Sequence, residues 1–183
     1  IDGTAPFVQG LPYSCFEIAL VVDGVPQVAV IYDLMNDRLY AAQKGHGATL
    51  DGVAITVSNT ADITQAITAI SSSSSPDIDA PRCRMDFDRQ SYRLMVLQCT
   101  SRDATLVASG AFEIGIFVGT HVHDVAAPML LIEEAGGRTS DIYGNPQRYD
   151  QPVKGMLFTN GLLHETALEI ITNSLLLTDG KHN

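Results

Sequence analysis

Apolar and polar positions alternate with period two over much of the first sixty residues, the mark of half-buried strands. Cys15 to Val22 (CFEIALVV) and Gln27 to Tyr32 (QVAVIY) flank Asp23-Gly24, a two-residue signal for a type I′ hairpin. Asn36-Asp37 marks a turn before a third strand at Arg38 to Ala42, and Asp51-Gly52 separates Ala48–Leu50 from Val53–Val57. An antiparallel meander is expected. From about Ile63 the pattern changes. Ala66 to Ile70 predicts a strand running into the tract Ser71–Ser75, which reads as a flexible loop. Helices are predicted over Asp86 to Leu97 and over Thr100 to Ser109, the latter closed by Gly110. A further helix spans Val125 to Ala135, with Asp124 as N-cap and Gly136-Gly137 at its end, and another spans Glu165 to Leu176. Strands are predicted at Glu113 to Val118 and Met156 to Thr159. Strand alternating with helix suggests a largely parallel layer. The chain thus divides into a meander at 1–62 and an α/β domain at 63–183.

Composition narrows the possibilities. With 183 residues and 45% of them hydrophobic, the chain can bury a core, so disorder is excluded as its main state. A net charge of −10 argues against nucleic acid or an anionic membrane as partner. It leaves an anionic substrate open, because bound cations reverse the local sign. No apolar stretch is long enough to span a bilayer. Cys15, Cys83 and Cys99 are odd in number and far apart, and read as reduced thiols of a cytoplasmic protein.

Two positions could carry chemistry. Ile1-Asp2-Gly3-Thr4 offers a carboxylate, backbone N–H groups and a hydroxyl at close quarters. A hard cation takes carboxylate and carbonyl oxygens, and a phosphate takes N–H groups at the start of a helical turn. The same tetrapeptide also suits a plain turn. Asp124 follows a strand end at Val118 and heads an apolar helix, so it reads either as a cap or as a metal-binding carboxylate at a sheet's carboxyl edge. His121 and His123 form a His-x-His pair, yet Asp124 follows directly, one residue too early for the metallo-β-lactamase-like zinc motif. Glu133 and Glu134 read as a solvated helix face.

Together these segments resemble the inositol monophosphatase family. IDGTAPFVQGLPYSCFEIALVVDG is similar to that family's Asp-Pro-Ile-Asp-Gly-Thr region and the Asn-Phe, Gly-Pro and Ser-Ile-Ala-Leu pattern after it. LYAAQKGHGATLDGVAITVS resembles its Ala-x-x-Gly-x-Gly-Ala stretch, and HDVAAPMLLIEEAGGRTSD its Trp-Asp-x-Ala-Ala and Glu-Ala-Gly-Gly signature. MLFTNGLLHETALEII resembles its C-terminal Asn-Gly turn. The resemblance implies a layered αβαβα sandwich, α+β and α/β in class, and Mg2+-dependent hydrolysis of a small phosphate monoester by a metal-activated water. It implies Asp2, Asp124 and the Ile1 carbonyl as metal ligands, and the Gly3 and Thr4 N–H groups as phosphate holders. Thr4 would orient the water, with Asp2 and Thr4 as the catalytic pair and Asp124 also facing substrate. A homodimer is expected on the same grounds.

The sequence departs from the family pattern at several places. The family's N-terminal helical segment, with its Glu-Glu motif, and the first aspartate of Asp-Pro-Ile-Asp-Gly-Thr are not in this sequence. The chain alone is therefore expected to be weakly active or inactive, with apolar residues of the meander exposed and prone to self-association. His123 stands in place of tryptophan, Phe117 in place of a substrate-binding glutamate, and Pro128 in place of glycine. Gln98, Cys99 and Thr100 replace a Gly-Ser or Gly-Thr-Ala run. These changes point away from inositol itself. Fructose bisphosphate and a 3′-phosphonucleotide are alternative substrates, and a non-catalytic interaction module is the alternative of another class.

Overall fold

The structure, a computed structural model, describes residues 1–72 and 78–176. Its first sheet is the expected meander: β1 (Cys15–Val22), β2 (Val25–Asp33), β3 (Arg38–Gln43), β4 (Ala48–Leu50) and β5 (Val53–Ile55), paired antiparallel in chain order. Asp23 and Gly24 both have positive φ, as a type I′ turn demands, and Asp51-Gly52 repeats the pair. A short helix, α1 (Thr4–Val8), precedes β1.

The second sheet contains β6 (Ile67–Ser72), β7 (Arg93–Met95), β8 (Ile114–Val118), β9 (Arg138–Ser140) and β10 (Met156–Thr159), in the order β7-β6-β8-β10-β9. It is mixed, which corrects the largely parallel expectation. β6 runs parallel to β7 and β8, whereas β10 is antiparallel to β8 and β9. The helix α4 (Ala126–Glu134) carries the chain from β8 to β9, one strand position further out. β10 then enters the gap in the opposite direction.

α4 is buried from Ala126 to Ile132 because it lies between the sheets together with α3 (Thr100–Ala108). A helix apolar all round fits only such a place. It packs on small side chains of the first sheet, Ala29, Ala42 and Ala48, and reaches Phe158 of the second. The far face of the second sheet is covered by α2 (Ala80–Gln90) and α5 (His164–Thr172) through Phe87, Ile114, Leu157 and Ile171. The layers therefore run β–α–β–α, a layered α+β fold. On the outer face of the first sheet Phe16, Ile18, Leu20, Val22, Val28 and Leu39 are exposed.

Several local expectations are corrected. α2 starts at Ala80, with the Asp79 carboxylate accepting the Arg82 N–H at 3.0 Å and proline in the first turn. It stops at Ser91, so the second half of the expected Asp86–Leu97 helix is strand β7. Ser71 and Ser72 extend β6 rather than opening a loop, while Ser73–Ser75 lie outside the described residues. Asp124 ends a single 3-10 turn (Val122–Asp124), and Val125 takes the N-cap position of α4 without any side-chain cap bond. Glu133 and Glu134 are more than a solvated face. Glu134 accepts the Gly45 and Gly47 N–H groups at 2.7 and 2.8 Å, and Glu133 accepts the Thr139 hydroxyl at 2.6 Å.

Candidate functional site

The chain's first residues are pinned where α3 begins. Asp2 and Cys15 exchange backbone hydrogen bonds of 2.9 and 3.1 Å, which extends the β1 edge. The Asp2 side chain spans two elements. Oδ1 accepts the Gly3 N–H at 2.7 Å, and Oδ2 accepts the Ser101 N–H at 2.7 Å and the Cys99 thiol at 3.4 Å. A carboxylate against the first N–H groups of a helix is favoured by charge as well as by hydrogen bonding. Gly3 turns the chain with φ +75°, and a Cβ there would sit 2.4 Å from the Tyr13 carbonyl oxygen. Only glycine fits this position. In this geometry the Gly3 N–H is engaged by Asp2. Thr4 is exposed and opens α1, and Ile1 is exposed beside it.

Asp124 arrives from the other end of the sequence. Burial raises its pKa above the ordinary aspartate value, and the Asp2 carboxylate adds to the rise. His123 and His121 work in the opposite direction; their rings stack 5.2 Å apart, and His123 Nε2 lies 3.6 Å from Asp124 Oδ1. The fold therefore brings Asp2 and Asp124 into one electrostatic neighbourhood.

A third carboxylate stands beside them. Glu17 of β1 is pushed up to about 8, by burial first and then by Asp2 and Asp124, while Ser101 pulls it back. Its Oε2 and the Ser101 hydroxyl are both buried and have each other as nearest polar company, the hydroxyl favouring the ionised acid. Motif reasoning missed Glu17. The signal was present, since an acidic residue interrupts an apolar strand at the place of serine in the Ser-Ile-Ala-Leu pattern. Behind this group Asp103 of α3 is fully buried, with Oδ2 accepting the Ser71 hydroxyl at 2.6 Å and Oδ1 unbonded.

Oxygen donors of the kind at Asp2, Asp124 and the Ile1 carbonyl suit a hard cation. Among the described residues no three His, Cys, Asp or Glu side chains yet close on a common point. Phe117, at 5% exposure, offers a ring and no polar atom, and that ring lies over Gly119. Among the described residues no helix is long and apolar enough to cross a membrane.

A layered α+β sandwich with carboxylates gathered at the head of an inter-sheet helix defines the class of protein. The model of the inositol monophosphatase family matches residues 1–176, and the chain belongs to that family. The Nus factor SuhB of Xylella fastidiosa is 34% identical over 152 residues, covering 79% of this chain and 54% of that protein. Bos taurus inositol monophosphatase 1 is 30% identical over 151 residues, 80% of this chain and 54% of its own length. The chain thus spans about half the length of these relatives. Among solved structures, an inositol monophosphatase from Anabaena superposes with a TM-score of 0.87 at 26% identity, covering 98% of this chain and 71% of that one.

Proposed function

We propose that the chain carries the site of a Mg2+-dependent phosphatase acting on a small phosphate monoester. The observation that carries this reading is that Asp2 and Asp124, each from a separate motif and each half-buried, act on one another electrostatically. Asp2, Asp124 and the Ile1 carbonyl would hold the ion. Bound there, Mg2+ would lower the pKa of a water and neutralise charge on the phosphoryl group. The chain's own residues do the rest. Thr4 orients the attacking water with its exposed hydroxyl. The Gly3 and Thr4 N–H groups hold the phosphate, the former by exchanging its bond to Asp2. Asp2 is kept in place by the Ser101 N–H.

The apolar ring at Phe117 supports a substrate other than inositol, because it cannot bond a ring hydroxyl. A relative from Thermotoga maritima named fructose-1,6-bisphosphatase/inositol-1-monophosphatase matches 99% of the chain at 28% identity, which supports a sugar phosphate as the alternative substrate. Two carboxylates and a carbonyl would be a small ligand set for Mg2+, and residues 1–183 alone should be weakly active. A second copy of the chain and a cytoplasmic setting complete the proposal. Calorimetric Mg2+ titration is the test. Asp2→Ala and Asp124→Ala should each abolish the binding heat. Undiminished binding in either variant would remove that residue from the site.

A further inference from the structure

We propose that Cys15 and Cys99 form a redox-modification site. A low-molecular-weight disulfide converts their thiols into a bond between β1 and the head of α3, and Asp2 thereby loses one of its hydrogen-bond donors. The proposal does not depend on what the Asp2 carboxylate binds.

Cys15 and Cys99 are far apart in sequence, and Asp2 is where they meet. Asp2 and Cys15 exchange both backbone hydrogen bonds, so they stand directly opposite each other. Their side chains leave the same face of the strand pair, with Cβ atoms about 5 Å apart. The Cys99 thiol reaches the Asp2 carboxylate at 3.4 Å. Cys99 also packs on the next residue: a Cβ built on Gly3 would lie 3.0 Å from Cys99 Cβ and 3.1 Å from its sulfur. Both cysteines are wholly buried in the core between the sheets. There the two thiols bond each other. Because the Cys99 S–H donates to Asp2, the hydrogen between the sulfurs comes from Cys15. Donors thus run in one direction, from Cys15 to Cys99 to Asp2. Cys83 has no part in this, since it sits on α2 in the other core, behind the second sheet.

The reaction is thiol–disulfide exchange. One cysteine, as thiolate, attacks the small disulfide, and a mixed disulfide forms as one small thiol leaves. The other cysteine attacks the protein sulfur of that mixed disulfide and expels the second small thiol. The protein gives up two protons and two electrons, and the small disulfide is reduced to two thiols. Neither sulfur reaches solvent in the closed fold, so the rate follows opening of the Asp2–Cys15 bridge. The product carries no S–H. Asp2 Oδ2 then keeps the Ser101 N–H and loses the thiol.

Residues 1–183 are incubated with oxidised glutathione, with and without about 1 M urea to speed local opening. Free thiols should fall from three to one, and a peptide map should show Cys15 linked to Cys99 with the mass of two hydrogens lost. Dithiothreitol should restore all three. Cys83→Ser should cross-link as wild type does, whereas Cys15→Ala and Cys99→Ala should not. The map of the wild-type protein tests the pairing by itself, whatever the folding of those variants. Amide resonances of Gly3 and Ser101, which both donate to Asp2, should shift on oxidation while those of α5 stay in place. A linkage through Cys83, a lasting glutathione adduct without a cross-link, or three free thiols after prolonged treatment in urea would overturn the pair. Cross-linking that left the Gly3 and Ser101 resonances unmoved would overturn its effect on Asp2.

Discussion

Gly3 shows how one residue fixes the path of the chain. Its φ of +75° and the 2.4 Å approach of a hypothetical Cβ to Tyr13 leave no room for a side chain. Gly3→Ala should cost about 2–3 kcal/mol, from left-handed strain plus the backbone clash, read as a lower urea midpoint. Asp103 gives a pH signature. Burial, with a contribution from Asp2, pushes it up to about 7, against the Ser71 hydroxyl and Arg102, which lower it. The unfolded chain ionises this group near 3.8 and the folded one only near 7. Between those values the folded state binds more protons, so its stability falls as pH rises and levels off above 7. Asp103→Asn keeps an acceptor for Ser71 and removes the titration. Stability measured by denaturant from pH 4 to 7 should decline in wild type, on the order of 1 kcal/mol per unit at most, and more shallowly in the variant. Asp2, Gly3 and Asp124 stand in short motifs, which is why the sequence alone draws attention to them. Glu17 and Asp103 do not: each is a lone acid in an element whose burial only the packed layers reveal.

At the scale of elements, the ends were easier to read than the faces. Gly110 and Gly136 close α3 and α4 with positive φ. In α4 the Gly136 and Gly137 N–H groups bond back to Glu133 and Ile132 at 3.0 and 2.9 Å. These glycines mark helix ends in any context, so the sequence reveals them. The start of α2 carried an equally local signal, Asp79 with Pro81, which the apolar spacing further on obscured. β9, three residues long, has too few positions to show a period. The faces of β1 went the other way from simple patterning. Phe16, Ile18, Leu20 and Val22 point outward, while the smaller Cys15 and Ala19 turn inward, because α4 packs closely on the sheet. The Glu134 carboxylate ties that helix to the β3–β4 turn through Gly45 and Gly47. Glu134→Ala should lose about 1–3 kcal/mol, and Glu134→Gln, which keeps one accepting oxygen, roughly half of that. Guanidinium unfolding of the two variants checks the order.

The whole molecule buries its two cores between and behind the sheets and leaves an apolar surface outside. The layered architecture was legible because strand and helix signals follow one another in separate blocks; the mixed direction of the second sheet was not, because alternation alone does not say where a returning strand inserts. The outer face of β1, β2 and β3 is the physical consequence that remains. Six large apolar side chains, Phe16, Ile18, Leu20, Val22, Val28 and Leu39, lie exposed on one sheet. Contiguous apolar area of this kind favours association, and the net charge of −10 opposes it over a distance that salt shortens. The balance predicts that residues 1–183 self-associate more as ionic strength rises, the reverse of an association driven by opposite charges. Sedimentation velocity across a salt series reads this directly. Phe16→Lys combined with Leu20→Lys should hold the chain monomeric at high salt, since it places charge in the middle of the patch without touching either core. Association that weakened with salt, or that persisted unchanged in the double variant, would place the contact elsewhere on the surface.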